Sequence, residues 1–307
     1  MSAIKIAIVG MGKIARDQHV PSLAANSDFE LVAVASPHGK LDGVPNFADM
    51  DSLLQAMPEV AAVALCTTPQ VRYELARNAL LRGKHVLLEK PPGVTVSEVL
   101  ALVKLAKRQG VSLFASWHSR HAPGVEPART WLAGRTIRGV TVTWKEDVRV
   151  WHPGQRWIWE AGGLGVFDPG INALSIITHL FPGLIVTEAE LSFPTNCATP
   201  VAAQLALGNA QGTTIRMDLD FLQTGPQTWD ITIETDAGRL ILSLGGKQMT
   251  LDGHAMEIPS TPEYAALYAH FAALVRAGRI DADVAPLLIV ADAFLCGRHV
   301  DVDAFTE

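Results

Sequence analysis

Along the first third of the chain, apolar residues come in short runs separated by longer patterned stretches. Residues 4–9, 29–35, 63–65, 85–88 and 112–115 are dominated by Ile, Val, Leu, Ala and Phe. They are too short for helices, and their composition predicts buried strands. Between them, residues 14–24, 50–56, 71–82 and 97–109 repeat apolar positions every three or four residues, the period of a helix with one buried face. Strand and helix alternating at this interval predict right-handed βαβ units and a parallel sheet covered on both faces.

After about residue 120 the pattern changes. A short helix is predicted over 127–132, then a partly alternating strand over 139–147. Residues 151–170 are rich in glycine and aromatics without a period, and 172–180 read as an apolar helix. Five strand-like runs follow, at 188–193, 202–207, 213–221, 228–235 and 239–244. Turn signals such as Asp236-Ala237-Gly238 and Asp252-Gly253 punctuate this region, and two helices, about 262–277 and 285–297, complete the pattern. The expected fold class is α/β, with an N-terminal parallel-sheet domain over 1–119. A C-terminal α+β domain over 120–307 carries a largely antiparallel open sheet.

Composition narrows the function. Of the 307 residues, 49% are hydrophobic and 18% charged, which excludes a disordered chain. The net charge is −6 and no Lys/Arg-dense run occurs, so nucleic acid is not an expected partner. No uncharged stretch reaches the roughly 18–20 residues that span a bilayer, so no membrane is expected either. Met1 to Lys5 lead directly into a strand-like run without the pattern of a signal peptide, so the expected location is cytoplasmic. Cys66, Cys197 and Cys296 lie far apart without C-x-x-C spacing. They read as buried thiols in a reducing compartment, and no metal site is expected.

The first motif is Gly10-Met11-Gly12-Lys13-Ile14-Ala15, a G-x-G-x-x-A after the first strand and before a helical pattern. Gly10 allows the tight turn, Gly12 lets the backbone approach a pyrophosphate, and Ala15 permits close helix–strand packing. Gly10, Gly12, Lys13 and Ile14 are therefore expected to bind a dinucleotide in a Rossmann domain. At the end of the second strand, Ser36 stands where an acidic residue would chelate the ribose hydroxyls and repel a 2′-phosphate. Ser36 and His38, with Lys40 nearby, offer donors instead, although no arginine adjoins Ser36 in sequence. Use of both NAD and NADP is expected, with a lean to NADP.

Two further motifs are Leu88-Glu89-Lys90-Pro91-Pro92 after a buried strand, and the glycine cluster 162–165 leading to Asp168 and Asn172. With the glycine turn, they resemble the glucose–fructose oxidoreductase, inositol dehydrogenase and rhizopine-catabolism family (Gfo/Idh/MocA). The resemblance implies that Lys90 lies beside the nicotinamide and the reacting hydroxyl, and that Glu89 belongs with the cofactor-binding residues. In the wider family, a His follows the Asp by four residues on a helix. Here that position is Asn172, which cannot accept a proton. Residues 12–19, 143–147, 151–155, 165–175 and 267–271 are similar to the family's bacterial L-arabinose 1-dehydrogenase and D-galactose 1-dehydrogenase branch, whose Asn fits Asn172.

That branch implies oxidation of the anomeric hydroxyl of a small aldose, L-arabinose or D-galactose, to the lactone. Lys90, Asp168 and Asn172 become the catalytic candidates, with Lys90 or Asp168 taking the proton. Glu146 and His152, and His118 after them, become the substrate-binding candidates. Trp144, Trp151, Trp157 and Trp159 interleave with Glu146 and His152. Carboxylates and imidazoles beside aromatic walls match the hydroxyl rim and C–H faces of a pyranose. The alternatives are a dehydrogenase of a ring hydroxyl in another sugar or polyol, and a non-catalytic NAD(P)-binding sensor, against which Lys90 and Asp168 argue. The candidate assembly is a homodimer through the exposed face of the C-terminal sheet.

Overall fold

In the computed structural model, which describes residues 2–306, the early apolar runs become parallel strands. They are β1 (Ile4–Val9), β2 (Phe29–Ala35), β3 (Asn46–Phe47), β4 (Ala62–Leu65), β5 (His85–Glu89) and β6 (Leu113–Ser116). Their order is β3-β2-β1-β4-β5-β6. This is the doubly wound order, in which the path reverses between β1 and β4 and opens a crevice at the carboxyl ends of the strands. The two-residue β3 was not among the expected strands, since so short a run leaves no periodic signal.

Alternation along β1 sends Ala7 and Val9 to one face of the sheet, with Val63, Leu65, Val86 and Leu88. Buried residues of α2 (Met50–Ala56), α3 (Pro69–Leu81) and α4 (Val96–Gln109) pack against them. Ile6, Ile8, Leu87 and Phe114 turn to the other face. There the early cover is thin. Residues 15–24 do not form the single α-helix expected, but a π-helical turn, Ala15–His19, followed by a five-residue α1 (Val20–Ala24). Pro21 has no N–H to donate back into the ladder, and Val20 instead donates to the carbonyl of Ala15, five residues earlier.

A late helix, α8 (Glu263–Ala277), completes that face through Leu267, Tyr268, Phe271 and Leu274. Contacts accordingly divide the chain into one unit of residues up to His118 together with Pro262–Val284, and a second of Ser119–Thr261 with the residues from 285 onward. The division expected at 119/120 is thus interrupted, because a parallel sheet must be covered on both faces.

The second unit holds a nine-stranded sheet. Its strands are β7 (Ile137–Lys145), β8 (Ile185–Pro194), β9 (Ala202–Gly208), β10 (Thr214–Asp220), β11 (Thr228–Thr235), β12 (Gly238–Ser243), β13 (Gln248–Leu251), β14 (His254–Ala255) and β15 (Arg298–Val302). The order is β14-β13-β12-β11-β7-β10-β9-β8-β15. Only β7/β10 and β8/β15 run parallel, so the sheet is largely antiparallel as expected. Helices α5 (Val125–Leu132), α7 (Phe167–Leu180) and α9 (Ala285–Cys296) pack with the sheet's strands and with one another. Charged side chains are paired along the strands, as in Lys145–Asp218 at 2.5 Å, Arg239–Glu234 at 3.0 Å and Arg298–Glu190.

Cysteine burial differs from expectation: Cys66 is buried, Cys197 intermediate, and Cys296, the last residue of α9, exposed. Among the described residues, no helix is long and apolar enough to cross a membrane. No group of His, Cys, Asp and Glu among them could hold a metal ion.

Candidate active site

In the first unit the glycine turn follows β1. Gly10 has φ +95°, and a Cβ there would stand 2.9 Å from the backbone nitrogen of Thr67. Glycine is therefore required both by the left-handed backbone and by the chain leaving β4. Gly12 is exposed, and a Cβ there would meet nothing within 4 Å. One glycine is consumed by packing and the other faces open space, which fits a backbone loop approached by a dinucleotide pyrophosphate. Lys13 and Ile14 are exposed, and Lys13 pairs with Asp17 one turn on. The half-buried Ser36 shapes its own loop by accepting from the Gly39 N–H at 3.2 Å, and His38 is exposed. An arginine does reach this loop from elsewhere in the sequence: Arg16 donates to the Lys40 carbonyl at 3.1 Å. Sequence inspection missed it because the two residues are 24 apart.

Lys90 is half-buried in the turn after β5. Arg72, buried in the first turn of α3, holds that turn from beneath. Its guanidinium donates to the carbonyls of Glu89, at 2.5 Å, of Pro91 and of Thr67, tying the exits of β4 and β5 together. Arg72 was not anticipated. Its signal would have been a cation on the helix face that otherwise carries Ala76, Ala79 and Leu80 inward.

Glu89, expected to touch the cofactor, has its carboxylate turned into protein. It is 3% exposed, and accepts from Tyr264 Oη at 2.6 Å and from the Lys90 backbone N–H at 2.6 Å. His19 Nε2 lies 3.1 Å away, and His19 Nδ1 meets Tyr268 Oη at 2.7 Å. Burial alone would raise the Glu89 pKa, but the hydrogen bond and charge of His19 outweigh it and hold the carboxyl at about 2. Burial likewise opposes a charge on His19, yet Cys66, Tyr268 and Glu89 hold its pKa well above 6.5. Burial pushes Tyr268 up to about 12 and Tyr264 well above 10. His118, expected at the sugar, pairs through Nδ1 with Glu263 at 2.7 Å and stacks on Tyr264 at 5.3 Å. A carboxylate on one imidazole nitrogen fixes the ring's orientation.

In the second unit, Glu146, His152 and Asp168 converge. Glu146 follows β7, where its N–H donates to the Asp220 carbonyl at 2.9 Å. It is buried, and its Oε2 accepts from Trp229 Nε1 at 2.8 Å. His152 caps the short helix α6 (Val148–Trp151), donating its N–H to Val148 at 2.8 Å. Asp168 lies in the first turn of α7, which begins at Phe167, five residues ahead of the start expected at 172. Pro169 is tolerated there because first-turn N–H groups have no intrahelical partner. Asn172 follows one turn later and is half-buried.

The glycines ahead of α7 are needed by close approach. A Cβ on Gly163 would stand 2.3 Å from the carbonyls of Trp157 and Ile158, and one on Gly165 2.2 Å from that of Pro200.

His152 Nε2 lies 3.5 Å from Glu146 Oε1 and 3.7 Å from Asp168 Oδ2. Both separations exceed an ordinary hydrogen bond but lie within ion-pair reach, so one imidazole stands between two buried carboxylates. Aromatic rings flank them: Trp229 lies 5.9 Å from Trp144 and 5.0 Å from Trp151, and Phe221 meets His152 edge-on at 5.6 Å. Trp229 sits in β11, 83 residues from Glu146, and was not anticipated. Such a set can accept from and donate to several hydroxyls at once.

Comparison with known proteins identifies the family. Residues 4–116 match the oxidoreductase family with an NAD-binding Rossmann fold. The chain is 46% identical to the galactose 1-dehydrogenase of Pseudomonas fluorescens, over 100% of both proteins. It superposes on the D-galactose-1-dehydrogenase of Rhizobium etli with a TM-score of 0.96 at 55% identity, covering 100% of this chain and 99% of that one. A 3-ketoreductase of Actinomadura kijaniata shares the fold alone, with a TM-score of 0.83 at 20% identity and 98% and 99% coverage. The chain belongs to the Gfo/Idh/MocA oxidoreductase family.

Proposed function

We propose that the chain oxidises the anomeric hydroxyl of D-galactose, and of L-arabinose, to the lactone with NAD(P). The observation that carries the reading is the convergence of Glu146, His152 and Asp168, in a chain 46% identical along its length to a galactose 1-dehydrogenase. When bound, the nicotinamide accepts the hydride from C1. Lys90 takes the hydroxyl proton in this reading, and Asp168 is the alternative acceptor. A hemiacetal hydroxyl is more acidic than an ordinary alcohol, which lightens the base's task. Glu146, His152 and Asn172 hold ring hydroxyls, and His118, fixed by Glu263, is a further contact. The cofactor preference leans to NADP, supported by Ser36 in place of an acidic residue and by Arg16 held on the same loop. A homodimer through the exposed face of the second unit's sheet belongs to the same reading, and sedimentation of the purified protein tests it.

The test is turnover with NAD or NADP and a sugar panel, followed through reduced-nicotinamide absorbance. L-Arabinopyranose and D-galactopyranose share their configuration at C2, C3 and C4. A site reading those hydroxyls accepts both, while D-glucose, the C4 epimer of galactose, runs at least about tenfold lower in kcat/KM. Equal efficiency on glucose and galactose would defeat the claim that O4 is read. Bound cofactor with no turnover of any aldose would favour the sensor.

A further inference from the structure

His152 belongs to a poorly covered stretch. Val150 is 69% and Trp151 39% exposed, and Pro153 and Gly154 are exposed as well. Val148 anchors the start of α6 by burial, but the residues flanking His152 are exposed, so further contacts fix this end of the segment. Two routes of contact run from His152 to residues 305 and 306.

The first passes through α6. Arg149, three residues before His152, donates from Nη2 at 2.9 Å and from Nε at 3.2 Å to the Thr306 carbonyl. Its guanidinium also lies 5.1 Å over the Phe305 ring. The second is a chain of rings: Phe305 packs on Trp159 at 4.7 Å, Trp159 on Phe221 at 5.7 Å, and Phe221 on the His152 imidazole at 5.6 Å. Phe305 is itself pinned. Asn196 donates from Nδ2 to its carbonyl at 2.8 Å and accepts its N–H on Oδ1 at 2.9 Å. A side-chain amide matched to both backbone groups of one residue fixes that residue's place and direction.

We propose that Phe305 and Thr306 form a latch, seated by Asn196, that positions His152 for the sugar through Arg149 and through Trp159–Phe221. Phe305, Arg149 and Asn196 are positioning residues, since they act through His152. The inference rests on the reading of His152 as a sugar contact. It also explains why a half-buried phenylalanine and a double amide contact occur in a segment that is otherwise exposed.

The test is a double-mutant cycle on the full-length protein. Phe305→Ala raises KM for D-galactose about tenfold, with kcat changed far less, because misplacing a binding group weakens substrate binding. Dissociation of the nicotinamide cofactor, read by quenching of intrinsic fluorescence, stays within about twofold of the parent. Phe305→Tyr, which keeps the ring, restores KM. In a His152→Ala background, Phe305→Ala adds no further increase, since coupled residues are not additive. Arg149→Ala moves KM in the same direction and replaces Phe305→Ala should that variant fail to fold. An unchanged KM in a folded Phe305→Ala or Arg149→Ala protein overturns the latch, as does an equal increase with and without His152. If His152→Ala alone leaves KM unchanged, the sugar-site reading falls, a result distinct from failure of the latch.

Discussion

Glu89 and Glu146 are both buried carboxylates at the ends of strands, yet their surroundings are opposite in kind. Glu89 is saturated: a phenol, a backbone N–H and an imidazole occupy its oxygens, and its pKa is held at about 2. Glu146 takes one indole N–H, while its other oxygen faces an imidazole across 3.5 Å. A buried charge needs partners to be tolerated at all. Where the protein supplies them fully, the group serves the fold. Where they stop short of contact, room remains for partners brought by a ligand. Burial of an acidic residue therefore does not by itself mark a functional site, and the proposal for Glu146 rests instead on the acceptor capacity left beside His152.

This contrast can be broken at its saturated end. His19→Ala removes the cation hydrogen-bonded to Glu89 and leaves a buried carboxylate held by Tyr264 and the Lys90 N–H, which costs about 3 kcal/mol of stability. Chemical denaturation measures it, and a loss below about 1 kcal/mol would mean that the pair is not a structural element. The next residue gives the opposite phenotype. Lys90→Ala lowers kcat at least about a hundredfold, the scale of an acid–base group, while the denaturation midpoint and cofactor affinity stay near the parent's. Near-normal turnover would remove Lys90 from the chemistry.

A smaller effect follows from pH. The Glu89 pKa is depressed from 4.5 to about 2, so its contribution is present above 4.5 and lost as pH falls through 2. By pH 3 the loss amounts to about 2 kcal/mol, read as a falling melting temperature. The His19 pKa is raised, so its contribution is complete below 6.5 and lost as pH rises through the elevated value. The two groups report one coupled pair, whose support is greatest between 4.5 and 6.5. A melting profile unchanged from pH 6 to 3 would contradict it. The smallest effect concerns the ribose loop. Ser36→Asp shifts the ratio of NADP to NAD efficiency towards NAD, and Arg16→Ala shifts it the same way by about tenfold or less. Unchanged ratios in both variants would place the 2′-phosphate elsewhere.

The strands of the first unit were legible because each is a continuous apolar run, and Ile4–Val9 and Phe29–Ala35 fall where the pattern puts them. Strand β15 and helix α6 were not, since five and four residues carry too little period to separate from loop. At the site, Gly10, Gly12, Glu146, His152 and Asp168 were named from motif and resemblance. The ring of His19, Tyr264 and Tyr268 around Glu89 was invisible, because its hydrogen-bonded pairs lie 70 to 249 residues apart and nothing local distinguishes them. That the Glu89 carboxylate turns into protein was hidden for the same reason: the motif gives its place but not its partners.

The return of residues 262–284 to the first unit has a consequence for synthesis. A ribosome releases all six strands of the parallel sheet long before α8 exists. Until then His19 and Glu89 lack both tyrosines, and the face carrying Ile6, Ile8 and Leu87 lacks much of its cover. Of the two units, the one whose strands emerge earlier thus finishes only after much of the other has been made. Between the emergence of β6 and that of α8, its nascent form exposes apolar surface, the condition that makes chaperones necessary.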